Sequence, residues 1–292
     1  MRILIGLDGS PEAAAGIDFV RRLTLSPADE VIVAAVVEVP SGLLALTGPQ
    51  TMVVWYNHVR TSVTKECKAI VDDAVRSLAG HGRVSSVVVE GHPLEMLQVV
   101  ARQRAVDLVV VGPHGRGRLE TALVGSVSQG LLHAPQTSVL VARAIGHDLR
   151  SAILAVDGSA HSRAAAHLLA KLGLPAGMTV FCTTVVPDGG GPYGRAWSDE
   201  AWPLVEAQQQ AAANRALDEA ESELRSGRLD VRREIRSGVP KQAILEAAAE
   251  HESDLIVMGA RGLGGFEALV LGSVSRAVSK AAPCSVLVAH PA

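Results

Sequence analysis

Aromatic side chains are scarce in this chain: three Trp, two Tyr and three Phe among 292 residues, or 3%. Any core must therefore be packed from aliphatics. Hydrophobic residues reach 48% and charged residues 20%, which supplies a sizeable core and argues against disorder. Cysteine is also sparse. Cys67, Cys182 and Cys284 are odd in number and match no metal or redox spacing, so buried free thiols in a reducing compartment are expected. No metal site is expected. Excess positive charge is missing too; a net charge of −3 gives no electrostatic footprint for nucleic acid. No apolar run approaches the length of a membrane span. The chain enters an apolar strand at Met1–Ile5 with no room for a signal peptide, so a cytoplasmic location is expected. The ten histidines are scattered. One of them, His114, falls in a glycine loop, where a solvated position is the expectation.

What the chain has instead is a repeated glycine pattern. After the apolar run Asp107–Val111 come Gly112, Gly115, Gly125, Ser126 and Ser128, and then a segment that reads as a helix to about His133. After the apolar run Asp254–Met258, 147 residues later, come Gly259, Gly262, Gly272, Ser273 and Ser275 at the same spacing. Eight of the 17 positions from Gly112 to Ser128 are identical in the copy. A strand, a glycine-rich loop and a helix start together offer free backbone N–H groups at the positive end of a helix dipole, which suits a phosphate. Glycine would let the backbone approach an anion and adopt positive φ, and Ser126 and Ser128 would add hydroxyl donors. One such loop is a weak signal; two copies in matched context point to a phosphate or nucleotide site.

The repeat extends across the chain. Asp8-Gly9-Ser10 recurs as Asp157-Gly158-Ser159, and Gly91-His92-Pro93 as Gly238-Val239-Pro240. The first half reads as a strand to Leu7, a helix from Ser10 to about Leu25 with Pro11 at its first position, and a strand at Val31–Val37. A loop over 38–50 and a long helix to about Ala79 come next. Then follow a strand at Val84–Glu90, a helix at Leu94–Arg104, the strand at Asp107–Val111, and a last strand at Thr137–Ala142 after Pro135. Ala144–Arg150 reads as a linker. The second half restarts at Ile153, with strands at Gly177–Val186, Leu229–Arg236, Asp254–Met258 and Ser285–Ala289. A glycine-rich loop at Asp188–Tyr193 and helices at Ala201–Ser226 and Gln242–His251 lie between them. With 292 residues, two domains are expected, at 1–145 and 150–292. The predicted class is α/β: two tandem doubly wound, open, parallel five-stranded sheets, Rossmann-like and related by a pseudo-twofold axis. Ligands in such sheets bind beyond the carboxyl ends of the strands. Asp8 and the Gly112 loop meet there if the first and fourth strands are neighbours. The fifth strands read as sheet edges, free to pair with each other or with another chain.

Taken together, Asp8-Gly-Ser10, Gly91-His-Pro93, the glycine spacing and the closing strand after Pro135, with their second-half copies, resemble the universal stress protein family in its tandem, ATP-binding form. The resemblance covers nearly the whole chain. It implies that Asp8 and Asp157 contact adenosine, that Val36 and Val185 touch adenine through backbone atoms, and that two sets hold ribose and phosphates. The first set is Gly112, Gly115, Gly125, Ser126, Val127 and Ser128; the second is Gly259, Gly262, Gly272, Ser273, Val274 and Ser275. Structural roles stand beside these: Asp8 and Asp157 as caps of the following helices, Ser126 and Ser273 as N-caps. The halves differ in charge, since His114, Arg116 and Arg118 surround the first loop and Arg261 the second. Neither loop continues as a Walker motif, and no catalytic lysine or paired metal carboxylates are evident.

The implied function is that of a nucleotide-dependent stress-response sensor or regulator, with ATP, with or without Mg2+, as ligand. An unidentified protein partner is implied as well. The chain is not expected to be a dedicated enzyme, although slow ATP hydrolysis is compatible with such a site. The rivals are an ATPase or adenylyl-transfer enzyme and a nucleotide-free association scaffold. The family's association through the fifth strand implies an intramolecular pseudo-dimer or a homodimer. No membrane or nucleic-acid partner is implied.

Overall fold

The computed structural model describes residues 1–39, 49–115, 124–134, 137–188, 202–225, 228–263 and 271–291. Arg116, Arg118, Pro135, most of the loop expected over 38–50 and nearly all of the one at Asp188–Tyr193 lie outside them.

The first half runs β1 (Arg2–Leu7), α1 (Pro11–Arg21), β2 (Glu30–Val37), α2 (Pro49–Ser77), β3 (Arg83–Glu90), α3 (Pro93–Gln103), β4 (Leu108–Val111), α4 (Ser126–Leu132) and β5 (Ser138–Val141). The second runs β6 (Ser151–Ala155), α5 (Ala160–Lys171), β7 (Thr179–Val186), α6 (Trp202–Leu224), β8 (Asp230–Ser237), α7 (Pro240–Glu250), β9 (Leu255–Gly259), α8 (Ser273–Ala281) and β10 (Ser285–Ala289). Helix starts follow local chemistry. Ser10 accepts from the Ala13 N–H and Ser159 from the Ser162 N–H, each at 3.1 Å, while Pro11, Pro93 and Pro240 occupy first-turn positions that need no N–H. Gly91 and Gly238 turn into α3 and α7 at φ 144° and 117°, a region that favours glycine.

Helix α1 stops at Arg21 and does not reach Leu25 as expected. Leu23 turns inward to 4% exposure, and the Thr24 N–H donates to Gly173 O of the other half at 2.6 Å. That tertiary bond takes the chain out of the helix, and propensity in the first half does not report it.

Each half is the expected parallel sheet, in order β3-β2-β1-β4-β5 and β8-β7-β6-β9-β10. The two are continuous, as one ten-stranded sheet β3-β2-β1-β4-β5-β10-β9-β6-β7-β8. The fifth strands, each at the border of its own half, meet as the family resemblance implied, so neither is left as a free edge. They pair antiparallel, Val286 with Val141, Leu287 with Leu140 and Val288 with Val139, while every other pairing is parallel. Pairing satisfies two rows of backbone groups that separate sheets would leave to solvent or to another chain. It also buries all six side chains to 1% exposure or less. Truncating one of them, as in Leu140→Ala, would cost about 2–5 kcal/mol.

Two cores flank the sheet. Phe19, Val71, Leu78, Leu169, Leu217 and Leu224 bring α1, α2, α5 and α6 onto one face. Leu97, Val100, Leu131, Ile244, Ala247 and Val278 bring α3, α4, α7 and α8 onto the other. The three cysteines are buried and form no disulfide. Among the described residues, no helix is long and apolar enough to cross a membrane.

Candidate functional site

Strands β1 and β4 are neighbours, with Ile5 opposite Val110, so Asp8 and the first glycine loop meet as the topology argument requires. One Asp8 oxygen accepts from the Ser10 N–H at 2.9 Å and the Ser10 hydroxyl at 2.7 Å. The other faces Gly115, where an added Cβ would lie 2.5 Å from it. The second half repeats the arrangement with a variation. Asp157 accepts from Ser159 N–H at 2.9 Å and from Leu263 N–H at 3.1 Å, and a Cβ at Gly262 would fall 2.5 Å from its carboxylate. Both aspartates thus organise the turn into the next helix, and Asp157 also ties down the loop opposite it.

These contacts correct the reason for the glycines. None of Gly112, Gly115, Gly125, Gly259, Gly262 and Gly272 has positive φ. Gly112 and Gly259 are small because helix starts press on them: a Cβ would sit 2.5 Å from Glu12 O in one case and 2.6 Å from the His161 carbonyl carbon in the other. Backbone packing thus requires glycine at Gly112 and Gly259 before any ligand is considered, whereas at Gly115 and Gly262 the close neighbour is the end of an Asp side chain.

At the helix starts the structural alternative for the serines is also corrected. Gly125 and Gly272 are the N-caps, and no side chain caps either helix; Ser126 and Ser273 sit one residue in. Nor is the Ser128 hydroxyl a spare donor, because it donates to Gly112 O at 2.6 Å, and Ser275 donates to Ala260 O at 2.7 Å. Both are positioning residues that brace the cradle. What the cradle offers is backbone. The first three N–H groups of a helix have no partner within it, and here they belong to Ser126, Val127 and Ser128, and to Ser273, Val274 and Ser275. By contrast, Ser10 and Ser159 cap α1 and α5 with their side chains.

In the second half these groups open on a cavity of ≈ 510 Å³, within the usual range for small-molecule sites. Asp157, Val185, Gly259, Gly262, Gly272, Ser273, Val274 and Ser275 all line it, so every second-half site residue inferred from the sequence converges there. Sequence reasoning missed Ser162, Thr183, Ile244, Met258 and Leu263, which line it too. Pro240, also in the wall, was visible only as part of a repeated turn. Ile244 lies one helical turn beyond it, a spacing that could have flagged it. Thr183 is 1% exposed and carries no sequence signature. Arg261 adds a positive charge to the wall. In the first half, Val36 lies at the end of β2 opposite Val89, and its carbonyl accepts the Cys67 thiol at 3.7 Å. His114 is half-buried, not freely solvated. No cluster of three or more metal-binding side chains occurs among the described residues.

The order of strands, the helices on both faces and the paired loops at the carboxyl ends define a duplicated, doubly wound α/β protein with a small-molecule cavity. Sequence comparison assigns its lineage: the model of the universal stress protein family matches residues 1–143 and again 149–290, and the chain belongs to that family. It is similar to a universal stress protein of Mycolicibacterium smegmatis, 28% identical over 300 residues, covering 99% of this chain and 97% of that one. One from Mycobacterium tuberculosis is 27% identical over 308 residues, covering 99% and 96%. A solved universal stress protein from Archaeoglobus fulgidus superposes with a TM-score of 0.63 at 18% identity, covering 100% of this chain and 98% of that one; at that identity the likeness shows the fold.

Proposed function

We propose that this chain is a nucleotide-dependent regulator within the stress-protein family, taking ATP at the second-half cavity and at the matching first-half loop. The observation that carries this reading is the uncapped start of α4 and α8. Helices α1 and α5 spend a serine on that position, and the uncapped α3 and α7 begin with a proline that has no N–H to offer; here glycine caps with no side chain and no proline follows, so a triphosphate would meet several donors and the positive helix end. Asp157 and the apolar wall of Val185, Ile244 and Met258 then face the nucleoside part. Binding to the folded form would raise its stability and shift its choice of protein partner by mass action. Mg2+ would travel with the phosphates. A dedicated enzyme is not proposed, since neither loop carries a Walker lysine.

The backbone packing at Gly112 and Gly259 favours a second reading, a nucleotide-free scaffold in which the loops serve only the fold. Nucleotide analysis of the denatured purified protein, followed by calorimetry with ATP, separates the two. Bound adenine nucleotide or a saturable isotherm supports the regulator. Neither would leave the scaffold. Sustained turnover at about 1 s⁻¹ or faster, an ordinary enzymatic rate, would move the protein to the enzyme class.

A further inference from the structure

Beside the second cavity lie two buried imidazole nitrogens with no hydrogen-bond partner, Nδ1 of His161 and Nε2 of His290. The rings meet edge to face, with centroids 5.9 Å apart and planes at 75°. His161 is the second residue of α5, pressed onto the end of β9, where a Cβ at Gly259 would lie 2.7 Å from its own Cβ. The next residue, Ser162, lines the cavity. His290 follows β10 directly and is 7% exposed. It crosses the seam between the halves: its N–H donates to the Ser138 hydroxyl at 3.2 Å, and its ring bonds the Leu132 carbonyl at the end of α4.

The charges that bear on this pair are those of the cavity. Arg261 in the glycine loop acts on both rings, Asp157 after β6 acts on His161, and His161 acts on His290. Burial, and after it the neighbouring ring and Arg261, hold His290 down to about 4. Burial and Arg261 hold His161 below its ordinary range, against the Ala289 carbonyl and Asp157, which pull the other way. A proton on either ring is thus disfavoured by burial and by a nearby cation. A bound polyphosphate would reverse the sign of that local field.

We infer that filling the second cavity with a polyanion is coupled to uptake of a proton from solvent on the unpartnered nitrogens of the His161–His290 pair. The inference rests on reading the cavity as a nucleotide site. No covalent bond breaks, since the proton adds to a free lone pair. Groups whose pKa rises on binding tighten the ligand as pH falls through the window between the empty and bound values. That window opens at about 4, the value His290 holds in the empty protein, and extends toward the ordinary imidazole value of about 6.5. The first half carries Glu12 and Arg143 at the corresponding positions, so its site should lack this linkage.

Calorimetry with ATP at about pH 5.5, in two buffers of different ionisation enthalpy, counts the protons taken up. The γ-phosphate titrates as well, so the reading is the difference between the parent and a variant carrying His161→Gln and His290→Gln. An excess uptake of about half a proton or more per chain in the parent supports the inference; equal uptake overturns it. Because the double variant could fold poorly, imidazole NMR titrations of the parent provide an independent test. The pair should titrate at higher pH with ATP than with adenosine, and unchanged titration overturns the inference. A normal isotherm with no excess uptake refutes only the proton linkage, whereas a missing isotherm refutes the nucleotide reading with it.

Discussion

Replacing Gly272 by aspartate sets the two uses of a helix start against each other. Gly272 is the N-cap of α8, at φ −68° and ψ 160°, with no capping side chain. Ser10 and Ser159 hold nearly the same angles and accept from the third N–H of their helices at 3.1 Å. An aspartate at 272 should do the same to the Ser275 N–H. As a cap it gains a few tenths of a kcal/mol over glycine and about 0.3–1 kcal/mol from the dipole. Against this, its Cβ would meet Ala260 O at 3.2 Å and Ser275 Oγ at 3.3 Å, so both must yield slightly. The fold should therefore keep its stability to within about 1 kcal/mol, a shift of a few degrees or less in Tm for a chain of this size. Binding should suffer far more. One charge-assisted donor is lost, worth about 1.5–3 kcal/mol, and a negative charge now faces the phosphates. ATP affinity at the second site should fall by more than about a hundredfold. Gly272→Asn, which caps without the charge, should fall by about ten- to a hundredfold. Calorimetry should then count near one ATP per chain in Gly272→Asp and near two in the parent. A variant that melts normally and keeps two sites of parental affinity would refute the assignment of these N–H groups to phosphate.

Three further outcomes follow from the packing. Gly262→Ala places a Cβ on the Asp157 carboxylate and should weaken ATP at the second site. Adding Asp157→Ala should cost less than the two single changes summed, a coupling of about 0.5–3 kcal/mol in a double-mutant cycle. Arg143 reaches across the seam to Cys284 O at 2.9 Å and Ser279 O at 3.0 Å, so Arg143→Ala should lower stability by about 1.5–3 kcal/mol in urea unfolding; restoration by Arg143→Lys, which lacks the planar fork, would contradict this geometry. Burial pushes the thiols of Cys182 and Cys284 up to about 12 and about 11. At pH 8 their thiolate fraction is then about one in a thousand or less. Both should resist a thiol reagent in the native chain and react on unfolding, whereas rapid native labelling of either would show that the strand it belongs to opens.

Much of this architecture is legible in the residues because each strand is a short aliphatic run and each helix start carries Ser-Pro, Gly-x-Pro or Gly-Ser punctuation. The duplication also let each half check the other, and the second-half cavity gathers all eight residues named for it. Three things were not legible in the residue pattern alone. The β5–β10 pairing of residues 139–141 with 286–288 agrees with the contact that the family resemblance implies, but an exposed edge and a paired one have the same sequence pattern, so periodicity cannot separate them. Thr24 left its helix for a bond to Gly173, an event set by the other half. Positive φ, expected at the glycines, is found at none of the six, and the structure places Glu12 O, the His161 backbone and the Asp8 and Asp157 carboxylates against four of them. Small size had the same signature whichever neighbour demanded it.

The central claim is that backbone donors at the uncapped starts of α4 and α8 hold the phosphates. Amide NMR of the labelled chain during an ATP titration tests it most directly, with adenosine as the ligand that lacks phosphates. The amides of Ser126, Val127, Ser128, Ser273, Val274 and Ser275 should shift strongly with ATP and little with adenosine, while those near Val36 and Val185 respond to both. Saturable ATP binding that leaves those six amides in place would contradict the claim.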